Sequence, residues 1–315
     1  MKRYANFLGL LTAWLAVFGV FALLAPDNFS SRENFETILR QSTIVGFAAV
    51  GMTYVIVSGG IDLSVGSMIA FVTVLIAFSL ERGLSPAFAA GIGVAGAAFC
   101  GLLNGVLITQ LRVGAFIVTL GSFLVIRGVA KGIAHDQKID APLTWLSDLI
   151  SQLGADRKWM IVPWGVWALI LLASVAAYSL RNSVFGRHVV AVGSNEQAAR
   201  VSGVPVERTR VWVYVLGGAT AGLAGLIQFS RLTVGDPTVA VGLELEVIAA
   251  TVIGGASLSG GTGSVWGSLL GALIMSTIKS GCSHVLLPNW VQEVVTGCII
   301  VAAVAIDRWR SAATS

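Results

Sequence analysis

What most constrains this chain is the succession of apolar runs suited to crossing a lipid bilayer. A crossing helix needs about 20 mostly apolar residues to span ~30 Å of hydrocarbon. Ten candidate runs follow one another, near residues 5–25, 38–58, 65–80, 86–109, 114–131, 161–180, 211–229, 246–258, 262–280 and 290–306. Backbone amides in hydrocarbon must bond within their own segment, so such runs read as helices. The expected fold is all-α, a polytopic membrane protein of about ten transmembrane helices in a single transmembrane domain over residues 1–315. The run near 246–258 is short and borders on glycines, and is expected to be a short, broken or re-entrant span.

The composition agrees. Charged residues make up 11% of the chain, where a soluble domain carries roughly a quarter. Mean hydropathy is +0.85. The net charge of +4 is spread between the apolar runs and not gathered in a patch, so no nucleic-acid partner is expected. Lys2 and Arg3 precede an apolar run from Tyr4 to Ala25. That run exceeds the core of a secretory signal, and reads as an uncleaved first helix. Cys100, Cys282 and Cys298 all lie in apolar runs without a C-x-x-C, and read as small buried hydrophobes.

Orientation follows from basic residues near span ends. The loop 181–210 holds Arg181, Arg187, Arg200, Arg208 and Arg210 and is expected to be cytoplasmic. Lys2, Arg3, Arg308 and Arg310 then place both termini inside. The loop 132–160 mixes Lys138, Arg157 and Lys158 with Asp136, Asp140, Asp148 and Asp156, and is placed outside. Two ladders of small residues, Gly93-Ala97-Gly101-Gly105 and Gly263-Gly267-Gly271, put closely packing faces on two helices. Packing within the chain is the expectation for both, with a dimer interface as the alternative. Gly59–Gly66 also echoes Gly254–Gly261, and both segments lead into a helix at the same side of the bundle.

Site chemistry is sparse. No G-x-x-x-x-G-K-[ST], H-E-x-x-H or G-x-S-x-G occurs, and His135, His188 and His284 are far apart. Enzyme activity, a metal or a cofactor on this chain is not expected. The cytoplasmic loop says more. Ser194-Asn195-Glu196-Gln197 reads as a capping box with Ser194 as N-cap. Ala198, Ala199, Arg200, Val201 and Ser202 continue the helix, and Gly203 followed by Pro205 ends it. A helix of about two turns is marginal in water by itself. It packs against its own chain or docks on a soluble partner.

Gly59–Gly66 (GGIDLSVG), Phe116–Gly121 (FIVTLG), Phe185–Gly203 (FGRHVVAVGSNEQAARVSG) and Gly254–Gly263 (GGASLSGGTG) together resemble the permease subunits of bacterial ABC importers for ribose and related monosaccharides. Asn104-Gly105 and Val291–Val295 (VQEVV) also fit, and the resemblance runs from about residue 40 to 310. It implies that residues 186–204 contain the coupling helix that contacts an ATPase subunit. It further implies ATP and Mg on that partner, an extracytoplasmic solute-binding protein, a second permease chain, and a place in the bacterial plasma membrane. Two departures stand out. Val113-Gly114-Ala115 replaces a common proline, and His284, within Ser280–Leu287, replaces an apolar residue. Both bear on substrate identity.

Polar residues in or beside the spans are weighed singly, because an ionisable group at membrane depth is costly. Asp62 and Glu293 are expected to favour helix N-termini. Arg127 is expected to snorkel outward, with lining of the translocation pathway as the alternative. Asn104 and Gln228 either bond between helices or line that pathway. The expected function is inward passage of a monosaccharide by alternating access. An ion-coupled secondary transporter is the alternative, disfavoured because the span middles contain no acidic residue.

Overall fold

The computed structural model describes residues 2–25, 28–153 and 159–312, with side chains within 7–305 except 303. Asp156, Arg157 and Lys158, and the side chains of Lys2, Arg3, Arg308 and Arg310, lie outside the described residues. The spans, in order, are α1 (Lys2–Leu24), α2 (Arg32–Val57), α3 (Val65–Glu81), α4 (Pro86–Leu111), α5 (Ala115–Ile133) and α6 (Trp164–Asn182). Two short helices follow, α7 (Val184–Ser194) and α8 (Glu196–Val201). The chain then forms α9 (Val206–Leu232), α10 (Leu243–Ile253), α11 (Val265–His284) and α12 (Asn289–Ala312). Among the described residues, seven helices are long and apolar enough to cross a membrane, and Val65–Glu81 and Asn289–Ala302 are shorter apolar helices. With the 11-residue α10, each of the ten expected runs has a helix. The protein is a polytopic all-α membrane protein.

Glycine brings the central helices together. The α4 ladder faces α9: a Cβ on Gly101 would lie 2.1 Å from the Tyr214 carbonyl oxygen, and one on Gly105 would lie 2.8 Å from Val211 Cα. The α11 ladder faces α10, where a Cβ on Gly271 would lie 1.9 Å from the Ala250 carbonyl oxygen. Both ladders therefore pack within the chain. Side-chain hydrogen bonds add register between α2 and its neighbours. Thr53 Oγ1 donates to Ser268 Oγ on α11 at 2.7 Å, and Tyr54 Oη donates to the Ala176 carbonyl on α6 at 2.7 Å.

The echoed segments turn out to be one device used twice. α2 and α10 both end with a left-handed glycine, Gly59 at φ +81° and Gly255 at φ +92°. In each case the next two amides return to carbonyls inside the helix: Gly59 to Ile56 and Gly60 to Val55, Gly255 to Val252 and Ala256 to Thr251. This cap satisfies carbonyls that the helix itself leaves free. The equivalence is shifted by one residue from the alignment of Gly59 with Gly254. The two turns stand side by side at one end of the bundle.

At the opposite end, two residues of each connection form an antiparallel ribbon, β1 (Ile139–Asp140) with β2 (Val234–Gly235). A 3-10 turn, Trp145–Leu149, lies beyond β1. It is tied down by Ser230 Oγ, which donates to the Ser147 carbonyl and accepts from the Ile150 amide.

Candidate functional site: a glycine-locked hairpin and an unwound half-span

The loop expected to hold one isolated helix holds two. α7 begins at Ser183, whose Oγ accepts from the Gly186 amide at 2.9 Å. It runs through Ser194, so Ser194 cannot be the N-cap of the next helix. Its hydroxyl instead bonds back to the Val190 carbonyl. The cap is Asn195, which has extended backbone angles and whose Oδ1 accepts from the Ala198 amide at 2.9 Å. Gly203 closes α8 at φ +81°, with its amide on the Arg200 carbonyl and that of Val204 on the Ala199 carbonyl.

The short α8 is stabilised by its own chain. Val192, Ala199 and Val206, one from each of α7, α8 and α9, form a small closed core. Around it, Glu196 bridges Arg210 at 2.6 Å and Arg200 at 3.2 Å, and Arg200 bridges Glu207 at 2.6 Å. Partial burial pushes the Glu196 carboxyl up, but hydrogen bonds and charge from Arg210 and Arg200 outweigh this and hold it below the usual carboxylate range. One apolar side chain is left outside: Val201 is 89% exposed.

α7 reaches the membrane-spanning part through Gly193. A Cβ there would lie 1.8 Å from the Val57 carbonyl oxygen and 2.7 Å from the Gly261 nitrogen. Val57 ends α2, and its carbonyl accepts from the Gly261 amide at 2.8 Å. Thr119 Oγ1 donates to the Ile61 carbonyl at 3.2 Å. The four segments GGIDLSVG, FIVTLG, FGRHVVAVGSNEQAARVSG and GGASLSGGTG thus meet through backbone contacts at one end of the molecule.

The eighth span is half unwound. After β2 the chain runs extended down α3. Gly235 abuts Ala77 and Thr73, and by Ala240 and Glu244 it has reached Gly66. Eleven residues of α3, about 16 Å at helical rise, are covered without a helix. Non-helical backbone at this depth needs protein partners. Thr73 Oγ1 accepts from the Asp236 amide, and Arg127 Nη1 donates to the carbonyls of Pro237 at 2.9 Å and Val239 at 2.6 Å. Arg127 therefore does not snorkel. It is buried on α5, and its Nε and Nη2 have no partner, nor does Glu244 Oε2.

Asn104 is buried as well. Its Nδ2 donates to Ser64 Oγ at 2.9 Å, and Ser64 Oγ and amide both bond to Asp62 Oδ1. Asp62 thus fastens the turn before α3, as its place at that helix start suggested. Gln228 is buried on α9, and no hydrogen bond among the described residues joins it to Asn104 or Arg127. Glu293, by contrast, is exposed and lies beyond the first turn of α12.

Ten membrane-crossing segments, one half unwound and pinned at depth by a buried arginine, with a hairpin locked to their ends, define an all-α membrane transport protein. The chain belongs to the family of the branched-chain amino acid transport system permease component, whose model matches residues 34–304. It is 36% identical over 297 residues to the ribose import permease protein RbsC of Escherichia coli strain K12, covering 94% of this chain and 92% of that one. It is 37% identical over 313 residues to RbsC of Bacillus subtilis, covering 99% and 94%. It is 35% identical over 302 residues to the L-arabinose ABC transporter permease protein AraH of Azospirillum brasilense, covering 96% and 87%. No solved structure gives a significant match. The resemblance carried by the four sequence segments holds at the family level.

Proposed function

We propose that this chain is the permease of an ATP-driven importer that carries a monosaccharide, ribose or a similar pentose, into the cytoplasm by alternating access. The observation that carries the reading is the meeting of the four segments at Gly193, in a chain matched almost end to end by ribose and arabinose permeases. In this reading α7 and α8, with residues 194–203 as the coupling element, face the cytoplasm and receive ATPase subunits. ATP and Mg belong to those subunits. A solute-binding protein delivers the sugar at the opposite end, and a second permease chain, identical or not, completes the pathway in the bacterial plasma membrane. Both termini lie inside.

A push on α8 reaches the ends of α2 and α10 through Gly193, and α10 carries with it the unwound segment held by Arg127. Asn104 and Arg127, both engaged with their own chain, hold walls of the pathway. Gln228, with no such partner, is the candidate for contact with solute.

The test is reconstitution in vesicles with the ATPase and binding protein encoded beside this chain, using labelled ribose, arabinose and leucine. ATP-dependent uptake of a pentose, requiring all components, is expected. Leucine uptake instead would move the substrate to the amino acids of the family's name. Accumulation by the chain alone on a proton or sodium gradient would replace the importer with a secondary transporter.

A further inference from the structure

The departure at Ser280–Leu287 lines a cavity that the coupling apparatus does not use. The cavity, of about 340 Å³, lies between the start of α2 and the end of α11. Since α2 has 26 residues, it sits ~39 Å of helix away from Gly193. Its wall includes Glu33, Thr37, Gln41, Ser280, Ser283 and His284. The volume is within the range of small-molecule sites.

The hydrogen-bond inventory of this wall is one-sided. Thr37 Oγ1 donates to the Glu33 carbonyl, Ser280 Oγ to Asn34 Oδ1, and Ser283 Oγ to the Lys279 carbonyl. His284 Nδ1 lies 2.9 Å from the Ser280 carbonyl. A carbonyl only accepts, so Nδ1 carries the proton and Nε2 of the neutral ring is an acceptor. The ring of Phe29 stands edge-on to this imidazole at 5.6 Å and fixes its plane. Gln41 Oε1 is buried without any partner. The protons of these groups are thus engaged within the protein, while lone pairs of Gln41, His284, Thr37 and Ser283 are left over. Glu33, exposed at the mouth, adds a carboxylate.

Such a wall needs a ligand rich in hydrogen-bond donors. A single carboxylate is poor compensation for a metal ion, and among the described residues no group of three or more His, Cys, Asp or Glu could hold one. A neutral polyol offers several donors on adjacent carbons and requires no charge partner. We infer that the cavity is a weak site for a free monosaccharide, at the end of the bundle where the proposed function has sugar arrive. The choice of sugar over other donors rests on that function, whereas the acceptor character of the wall does not.

The test is equilibrium binding of labelled ribose and arabinose to the full chain in lipid nanodiscs, with the per-O-methylated sugar and ethanolamine as competitors. Saturable millimolar binding is expected, displaced by unlabelled pentose and not by the methylated sugar, which has lost its donors. Gln41→Leu and His284→Leu should each weaken binding by about five-fold, the loss carried by one hydrogen bond. Gln41→Glu, which keeps an acceptor, should restore most of it and guards against misfolding. Absence of saturable binding, equal competition by the methylated sugar, displacement by ethanolamine at the sugar's own concentration, or full binding by both leucine variants overturns the site. Uptake by the complete transporter is read separately. Normal pentose uptake without cavity binding removes this site alone, and cavity binding without ATP-dependent uptake removes the transport reading alone.

Discussion

The amide of Gly261 donates to the carbonyl of Val57 at 2.8 Å, joining the loop before α11 to the last turn of α2. Gly193 of α7 lies against that bond so closely that even a methyl group there would overlap the Val57 oxygen. The contact is backbone to backbone, with no side chain to absorb displacement. A junction of this kind transmits a shift of α7 directly to two membrane-spanning helices.

Gly193→Ala should therefore separate the hairpin from the bundle. Overpacking costs about 1–3 kcal/mol, too little to unfold ten packed spans but enough to displace α7. The expected result is normal accumulation in the membrane, with transport and sugar-stimulated ATP hydrolysis both lost in the complete transporter. Wild-type uptake by this variant would remove Gly193 from the coupling path.

For docking itself, the informative residue is Val201. Ala199 and Arg200 lie in the same helix, but Ala199 is 4% exposed within the hairpin core and Arg200 is tied to Glu196 and Glu207. Ala199→Asp or Arg200→Glu would disturb the hairpin as well as any partner. Val201→Asp alters an exposed apolar group and leaves the hairpin intact. ATPase subunits should fail to copurify with it, whereas they should copurify with Val201→Leu. Equal recovery with both would place the docking surface elsewhere.

Arg127→Gln should loosen the unwound half-span. Two buried carbonyls, of Pro237 and Val239, lose a charged donor, and a buried group left unpaired costs about 1–3 kcal/mol. The measurement is amide exchange across residues 234–242, expected to rise with little change in α9. Unchanged exchange would mean that other groups hold the segment.

The hairpin should also depend on pH. The folded Glu196 carboxyl titrates below its ordinary value, because Arg210 and Arg200 outweigh its partial burial. A depressed acid stabilises the fold above its unfolded pKa, and that stability is lost as pH falls through the folded value. Amides of residues 184–205 should exchange faster as pH drops below about 4.5, the usual range for a glutamate, after correction for the intrinsic rate. Glu196→Gln should remove most of this pH dependence. A variant that keeps it would show that another group is responsible.

Sidedness is checked by impermeant thiol reagents on cysteines placed at Ser194 and Leu143, both exposed and at opposite ends of the bundle. Ser194→Cys should react only from the cytoplasm and Leu143→Cys only from outside. Reaction of both from one side would overturn the span count.

The spans are legible in the sequence because a run of about 20 apolar residues has little use outside a bilayer. The shortness of the eighth run marks the place where helix fails. Gly203 is legible because a left-handed stop before Pro205 is a local signal. α7 is not. Its Val-rich, glycine-containing sequence has weak helix propensity, and packing of Val189 and Val192 decides its state. Ser194 and Asn195 are equally good caps in sequence, and only the extent of α7 chooses between them. The sequence misplaces Arg127 because its partners, Pro237 and Val239, are more than a hundred residues away. A residue near a helix end looks free to reach water when nothing nearby in sequence claims it. The cavity at His284 shows in the sequence only as a departure, since its walls come from two ends of the chain.

The unwound segment also bears on how the protein is made. The 11 mostly apolar residues of α10 are too few to enter a bilayer as an independent span, and the extended stretch before α10 carries bare amides and carbonyls. α10 must therefore settle against helices already in place, with Arg127 and Thr73 waiting to receive the chain ahead of it. Insertion of the last three helices becomes an ordered sequence, in which an earlier arginine acts as the template for a later strand.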